Sequence, residues 1–393
     1  MQYSKIYSLT LTSALLCTLA VAQTPTTTPA PATAPAVTTD PAAKPAPKPE
    51  AAAAPTWSIG GITFSGLIDG YYSYAANHPG SGVNQYRNFD SRANSFSLNM
   101  TRLTLEHDAD PVGFRLDLAF GRALDLINFQ DAANGFDNMK YVPQAYISFK
   151  PKQLKGFQMD FGKFYTSAGA EVTETHSNWN YSRSLIFANG PYYHFGLRTA
   201  MPINKYFTAG FQVVNGWNNV EDNNSGKTLG FTTALTVGKF AWLNNYYVGP
   251  EKTKTNKGYR NFYDTVGTYN PTDKISTYVN FDYGTEKFAA GKGSNDWIAI
   301  GAAAKFQATK TISFSARGEY YYDKDGFITG TKQKLKEVTI TGEYKWMEGL
   351  LTRLEYRRDW SDKKVFERGD NPNAASGQNT LLIGLVAFFG PKR

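Results

Sequence analysis

Cysteine is nearly absent from this 393-residue sequence, and the single thiol, Cys17, lies in an apolar segment near the amino terminus. Removal of that segment leaves a chain without thiols, which excludes disulfides, cysteine nucleophiles and thiolate metal sites. Histidine is also rare: His78, His107, His176 and His194 are the four, and none belongs to a paired-histidine metal motif. A Gly-x-Ser-x-Gly elbow and a phosphate loop are missing too. We therefore predict a protein that is not an enzyme and that uses no cofactor and no metal.

Long hydrophobic runs are missing as well, since the apolar stretch 6–19 falls short of the ~20 residues that a spanning helix needs. A lysine precedes this stretch and a small-x-small sequence follows it, so residues 1–22 are predicted to be a secretory signal peptide. Residues 23–55 consist almost wholly of Pro, Ala and Thr, which predicts a disordered periplasmic tether. Residues 56–393 form the predicted folded domain.

Alternation of apolar and polar side chains dominates the folded domain. In the segment 157–164, Phe157, Met159 and Phe161 share one face while Asp160 lies on the other. Such a period of two is typical of a half-buried strand, because successive side chains point to opposite sides. Sixteen segments qualify as strands: 62–75, 96–107, 113–122, 142–150, 157–164, 194–201, 207–215, 227–238, 240–248, 259–270, 275–284, 296–307, 312–323, 335–346, 350–360 and 379–390.

The connections between these strands alternate in length. Links after the even-numbered strands are short, whereas those after the odd-numbered strands are long: 76–95, 123–141, 165–193, 216–226, 249–258, 285–295, 324–334 and 361–378. This arrangement is typical of an outer-membrane barrel with short periplasmic turns and long extracellular loops. We therefore predict an all-β fold, a transmembrane antiparallel β-barrel of about sixteen strands. A soluble sandwich or propeller is the alternative, and it does not account for the regular alternation of link lengths.

Aromatic residues gather near the predicted strand ends. In membrane barrels, such residues form girdles at the two interfaces with water. An ordinary place for aromatic side chains within a sheet is the alternative interpretation. The residues concerned are Tyr71, Tyr72, Tyr74, Tyr246, Tyr247, Tyr320, Tyr321, Tyr322, Trp346 and Trp360.

Charged side chains on the face opposite to the apolar one are predicted to line the lumen, since Arg or Lys facing lipid near the midplane costs ~2–4 kcal/mol. They are concentrated on the strands 312–323, 335–346 and 350–360. Two interpretations stay open: cross-strand ion pairs that stiffen a hydrated wall, or a charged wall facing a constriction. The set comprises Arg115, Asp117, Asp160, Arg198, Lys305, Arg317, Glu319, Glu343, Lys345, Arg353, Glu355 and Arg357.

The third long link, 165–193, is the longest and carries many functional groups. Glu171, Glu174, His176 and Arg183 are its candidate site residues. A connection of this length without periodicity is expected to be functional. We predict that it folds into the barrel and narrows the pore, where its acids would face the arginines of the opposite wall. An outward cap is the alternative.

One segment resembles a known family. The sequence GKFYTSAGAEVTETHSNWNYSRSLIFANGPYYHFGLR (162–198), followed by VNGWNN (214–219), resembles the OmpL-like β-barrel porin-2 family of bacterial outer-membrane proteins. The resemblance extends from about Phe64 to the end of the chain. It implies a bacterial outer-membrane barrel with pore activity, and it supplies no substrate and no site residues. By analogy with general sixteen-stranded porins, an inward third loop and a homotrimer are expected.

The resulting expectation is a porin, a passive diffusion channel for small hydrophilic solutes or ions. A structural, adhesive or receptor-like barrel with a plugged or narrow lumen is the second possibility, which the Pro-rich tether supports. Expected partners are outer-membrane lipid, the solutes or ions, a homotrimer and, through the tether, the cell wall. The net charge of +8 does not indicate a nucleic-acid partner, because the signal peptide, the tether and the loops carry part of it.

Overall fold

The computed structural model describes residues 57–133 and 135–391, and its main feature is a ring of sixteen long strands. The predicted signal peptide and tether, 1–22 and 23–55, lie outside the described residues. The strands are β1 Ile62–Ala75, β2 Ser95–His107, β3 Val112–Phe120, β4 Gln144–Phe149, β5 Gln158–Tyr165, β6 Tyr193–Pro202, β7 Phe207–Val214, β8 Thr228–Val237, β9 Phe240–Gly249, β10 Arg260–Thr272, β11 Ile275–Lys287, β12 Ser294–Gln307, β13 Ile312–Asp323, β14 Gln333–Met347, β15 Leu350–Ser361 and β16 Gly377–Phe389.

The last strand pairs with the first, which closes the sheet. Leu382 of β16 lies opposite Ser73 of β1, and Phe389 lies opposite Gly66 at the other end of the same ladder. A closed antiparallel sheet leaves no strand edge exposed, as a bilayer requires. The prediction of an all-β barrel of about sixteen strands is confirmed.

Tight turns join the strands at one end of the barrel. Glu348 and Gly349 connect β14 to β15, and Gly349 has a positive φ of 84°. A side chain there would be strained in that conformation, and its Cβ would lie 2.4 Å from the carbonyl oxygen of Phe388. In outer-membrane barrels the end with the short turns faces the periplasm, and the long loops of this barrel lie at the end opposite to its short turns.

Side chains along β15 alternate between the lumen and the outer surface. Arg353, Glu355 and Arg357 are at most 2% exposed, whereas Leu354 and Tyr356 are 56% and 44% exposed. The exposed members form part of an apolar belt around the barrel, which meets lipid. The alternation therefore sorts polar from apolar side chains as the sequence pattern predicts.

The predicted aromatic girdle is wrong for three of its members. Tyr71, Tyr247 and Tyr321 are at most 4% exposed and pack inside the barrel. Each has an aromatic neighbour in sequence, and only one of two adjacent strand residues can face lipid. Tyr74 and Trp346 do lie on the outer surface, with 43% and 60% exposure.

The long loops contain short helices and a hairpin that the strand pattern did not predict. Ser184 caps the helix in the third loop, since its hydroxyl accepts the Phe187 amide at 2.9 Å. None of the helices within the described part of the chain is long and apolar enough to cross a membrane. The elements are α1 Arg122–Ile127, α2 Phe129–Ala133, α3 Leu185–Asn189, two 3-10 turns, Asp137–Tyr141 and Thr175–Ser177, and a hairpin of Phe366–Arg368 with Asn371–Ala375.

Apolar side chains from the loops pack inside the barrel in two clusters. One gathers α1 against Leu67 and Tyr71 of β1. The other gathers α3 against Trp297 of β12 and Phe366 of the hairpin. These clusters bury apolar surface within the ring and hold the third loop between its neighbours.

Candidate functional site

The third loop lies within the barrel, held by arginines that point inward from β15. Arg353 donates from Nη1 to the carbonyl oxygens of Thr175 at 2.7 Å and Asn180 at 3.0 Å, and from Nη2 to that of Asn178. Arg357 donates from Nη1 to the Arg183 carbonyl. Charge-assisted hydrogen bonds of this kind are about twice as strong as neutral ones. The arginines therefore fasten the loop backbone to the wall.

Carboxylates of the same wall accept hydrogen bonds from the loop amides. Glu355 accepts the amides of Tyr181 at 2.6 Å and Ser182 at 3.0 Å. Glu319 on β13 accepts the Leu185 amide, the first of α3, at 2.6 Å. The loop backbone thus meets acceptors as well as donors. These backbone groups are therefore satisfied although they are buried in the lumen.

The two glutamates of the loop pair with arginines of different walls. Glu171 lies 2.6 Å from Nη1 of Arg317 on β13, whereas Glu174 pairs with Arg102 on β2 and lies 3.9 Å from Arg115 on β3. Burial opposes the ionisation of Glu174, but these two arginines outweigh it and lower its pKa from 4.5 to about 2. The loop consequently spans the lumen and forms an ion pair at each of the two walls.

Two anchors of the loop are absent from the sequence-based set. Arg102 holds Glu174, and Asp69 on β1 accepts hydrogen bonds from the Thr175 hydroxyl and the Tyr181 hydroxyl. Both side chains are inward by alternation, since Arg102 is next to the outward Leu103. The alternation of side chains along β1 and β2 would therefore have been enough to predict that Asp69 and Arg102 point into the lumen.

The predicted wall charges form ion pairs within the sheet as well. Arg353 and Glu343 face each other in register and approach to 2.7 Å. Arg317 donates a hydrogen bond from Nε to the carboxylate of Glu337, on the neighbouring strand β14, at 2.9 Å. These arginines are buried beneath the loop, so they do not face open solvent. Lys345 pairs with Glu348 at 3.0 Å beside the short turn, and Lys305 with Glu343 at 3.4 Å.

Three of the other predicted charges, Arg115, Asp160 and Arg198, line a cavity on the opposite side of the loop. The cavity has a volume of about 670 Å³, and its lining runs from Glu171 in the loop to Asp108 and Lys150 at the short-turn end. The wall between these limits carries two ion pairs, Arg115 with Asp117 at 3.1 Å and Arg198 with Asp160 at 2.8 Å. The predicted lumen charges therefore divide into one group under the loop and another group beside the cavity.

A match between this sequence and a family model shows to which protein family the chain belongs. The model of the family described as "Putative beta-barrel porin-2, OmpL-like" matches residues 61–389. The chain belongs to this family. It is an outer-membrane β-barrel of the porin type, with its location in the bacterial outer membrane. No curated protein sequence matches the chain.

Solved porin structures share the fold of this OmpL-like barrel. The anion-selective porin from Comamonas acidovorans is 13% identical, with a TM-score of 0.57 over 84% of this chain and 99% of that one. OmpT of Vibrio cholerae in a trimer form is 14% identical, with a TM-score of 0.56 over 84% and 99%. The outer membrane channel DcaP of Acinetobacter baumannii is 11% identical, with a TM-score of 0.54 over 84% and 97%. At these identities, the likeness concerns the fold.

Arg183, another predicted site residue, fastens the third loop of the OmpL-like barrel to itself. Its guanidinium donates to the carbonyl oxygens of Val172 at 2.9 Å, Tyr181 at 2.6 Å and Thr173 at 3.0 Å. It also lies 4.5 Å from the ring centre of Phe89 in the first loop. Arg183 is 1% exposed. Its position makes it an internal brace of the loop.

His176 packs where the loop meets the last strand. Its ring stacks on Phe388 with centroids 4.5 Å apart and an interplanar angle of 14°. The ring nitrogen Nδ1 is buried without a hydrogen-bond partner among the described residues. No group of three or more His, Cys, Asp or Glu side chains in the described ranges is placed to hold a metal ion.

Acid is expected to weaken the docking of this loop. Burial lowers the pKa of His176 from 6.5 to about 4, Glu174 counteracts this, and Arg102, Arg353 and Arg183 add to it. Between pH 6.5 and about pH 4, His176 is protonated more in the unfolded chain than in the folded chain. The free energy of unfolding therefore falls as the pH falls through this window. Glu174 acts in the same direction from pH 4.5 down to about 2.

Urea unfolding of the purified barrel in detergent at pH 7 and pH 5 measures this effect. We expect lower stability at pH 5, and a smaller difference in His176→Phe, where the stack on Phe388 persists without a titrating ring. His78→Phe, in an exposed stretch of the first loop, is the control. An equal pH effect in wild type and His176→Phe would contradict the assignment to His176.

Proposed function

We propose that this barrel is a passive diffusion channel for small hydrophilic solutes or ions, with the third loop, 165–193, as its constriction. The observation that carries the proposal is the docking of this loop across the lumen, beside a cavity of about 670 Å³. A loop that bonds to opposite walls narrows a pore without requiring a plug domain. Cavities of about 300–1,000 Å³ suit small molecules.

The cavity lining supports polar solutes. Arg115 and Arg198 alternate there with Asp160 and Glu174. Charges of both signs in a narrow, hydrated passage attract polar groups, and they leave the net preference to small differences in position. Hydrated ions and small polar molecules are therefore the proposed cargo.

Single-channel recording in a planar lipid bilayer tests the channel. We expect stepwise, ohmic insertions of the purified chain in symmetric salt. A heat-shifted gel mobility confirms in parallel that the barrel is folded. Absence of steps from protein that is folded by this criterion would overturn the proposal.

The charges beside the cavity are expected to set ion preference. Arg115→Gln combined with Arg198→Gln removes two positive charges from the lining, so the reversal potential in a salt gradient is expected to shift toward cations. The matched control, Lys205→Gln with Lys310→Gln, removes two exposed charges at the short turns. Equal reversal potentials in wild type and the cavity variant would place the limiting charges elsewhere.

A receptor-like or structural barrel with a plugged lumen is the second candidate, and one observation favours it. Aromatic side chains crowd the long-loop end: Trp217 packs edge-on against Phe262, with ring centroids 4.9 Å apart, and Arg260 lies 4.7 Å from the Trp217 ring centre. Aromatic packing at the long-loop end is the feature expected of a barrel with a plugged lumen. Folded protein without conductance would favour this candidate.

Assembly and the tether complete the proposal. We propose a homotrimer, and the Vibrio cholerae OmpT structure in trimer form supports it through a shared fold alone. The predicted tether, 23–55, is proposed to contact the cell wall. Light scattering of the detergent-solubilised chain tests the first, and peptidoglycan pull-down with and without residues 23–55 tests the second.

A further inference from the structure

Three basic side chains lie on the outer face of the barrel at its long-loop end. Lys334 and Lys336 on β14 flank Leu335, which is 0% exposed and faces the lumen. Arg358 on β15 follows Arg357, which is 1% exposed and also faces the lumen. Since side chains alternate along a strand, all three cations point outward.

These cations form one patch with neighbouring aromatic rings. Lys334 lies opposite Tyr322 in register, with Nζ 5.3 Å from the ring centre. Lys336 lies opposite Trp360, and the Arg358 guanidinium lies 6.0 Å from the same Trp360 ring. We call these five residues the basic rim. It extends over the adjacent strands β13, β14 and β15.

The position of the basic rim along the strand places it at the membrane surface. On the outer face of β14, Trp346 lies near the short-turn end, and Ile340 and Val338 lie between it and Lys336. The span from Trp346 to Lys336 corresponds to roughly 25 Å of height at about 3.3 Å per residue and a tilt near 40°. That is about the height of the apolar belt of a membrane barrel. Lys336 therefore lies at headgroup level in the outer leaflet.

The charge of the basic rim is not neutralised by an ion pair. No carboxylate in the described ranges forms a salt bridge with Lys334, Lys336 or Arg358. The Asp362 carboxylate accepts the backbone amide of Lys334 at 2.7 Å, and Arg358 donates to the neutral side-chain amide oxygen of Asn379 at 3.2 Å. Lys324, at the end of β13, differs because it is paired with Asp296 at 2.9 Å. An anion from outside the chain would neutralise the charge of the basic rim.

Other sectors of the outer surface carry exposed aromatic side chains, among them Tyr74 on β1, Phe96 on β2, Tyr246 on β9 and Tyr283 on β11. The basic rim is therefore a local feature of one sector and not part of a uniformly cationic girdle. A local cluster of cations selects a discrete anionic group, whereas a girdle would attract the leaflet as a whole.

We propose that the basic rim binds the phosphate groups of a lipid in the outer leaflet. Basic side chains near a membrane surface attract anionic headgroups, while the aromatic rings contact the sugar or acyl portion below them. The site lies on the outside of the barrel, so it does not depend on whether the lumen conducts. It depends on the outer-membrane location, which the family establishes.

Binding of diphosphorylated lipid A to the full chain in mixed detergent micelles tests the proposal. Each cation is expected to contribute about fivefold in affinity, so Lys334→Gln, Lys336→Gln and Arg358→Gln combined should weaken binding on the order of a hundredfold. The matched control changes three exposed lysines of the short turns, Lys155→Gln, Lys205→Gln and Lys310→Gln. It removes the same charge and is expected to bind as wild type does.

Two further probes separate the sources of phosphate. Lipid A without its phosphates should bind the wild type as weakly as the triple rim variant binds the intact lipid. Inorganic phosphate at millimolar concentration should not compete with the lipid. Equal binding by wild type and the rim variant would overturn the proposal, as would full competition by inorganic phosphate, which would indicate a site for a free anion. Heat-shifted mobility of each variant shows that the barrel has folded.

Discussion

Removal of residues 168–190, with the ends joined by two glycines, is expected to raise the single-channel conductance severalfold. This segment crosses the lumen and bonds to β13 through Glu171 and to β15 through the carbonyls that Arg353 holds. Without it, the cross-section open to ions is wider, while α1 and the first loop stay in place. Planar bilayer recording of the folded variant, with its current compared to wild type at one voltage, measures the change.

The control for this deletion is an exposed loop. Residues 289–292, between β11 and β12, are exposed and lie outside the packed lumen. Their deletion should leave the conductance unchanged. Constant conductance after deletion of 168–190 would mean that another part of the chain limits the current, and the aromatic packing around Trp217 is the next position to test.

Arg317→Ala is expected to destabilise the barrel by about 3–5 kcal/mol and to release the loop. The reason is that the substitution leaves buried carboxylates without their positively charged partner. The guanidinium bonds Glu337 at 2.9 Å, Glu171 at 2.6 Å and the Ser182 carbonyl at 2.9 Å, and it is 2% exposed. Urea unfolding in detergent measures the stability, and conductance reports the release of the loop.

Lys305→Ala is the matched control for Arg317→Ala. Its ammonium also faces the lumen, but it is partly exposed and lies 3.4 Å from Glu343, which keeps Arg353 as a partner. Pairs of this kind contribute about 0–1 kcal/mol. If the two variants unfolded at the same urea concentration, the network around Arg317 would not hold the loop.

The sequence predicted which charged side chains point into the barrel, but it did not predict which of them are exposed to solvent there. The alternation that puts Arg317, Arg353 and Arg357 inside follows from the sequence, yet all three are buried under the third loop. Arg115 and Arg198, which have the same parity, line the cavity instead. A period of two specifies the face of a strand but carries no information about what a loop covers.

The loop contacts depend on residues far apart in sequence. Tyr181 forms a hydrogen bond with Asp69, which is 112 residues away in the sequence, and Arg353 forms one with Asn178, 175 residues away. Neither partner has a local pattern that marks the other. For the same reason α1 and α3 were not predicted, since short helices of this kind are stabilised by tertiary packing more than by propensity.

By itself, the sequence determined the class of this protein: strand alternation, the regular sequence of short and long links, and the family match each follow from local or repeated patterns. Only the tertiary structure decided the lumen. It decided that the third loop docks against the arginines of β13 and β15, that Arg102 and Asp69 join in holding it, and that the cavity lies beside Arg115 and Arg198. The physical reason is that barrel strands obey a period of two, whereas a loop is positioned by hydrogen bonds and charges that become neighbours only when the sheet closes.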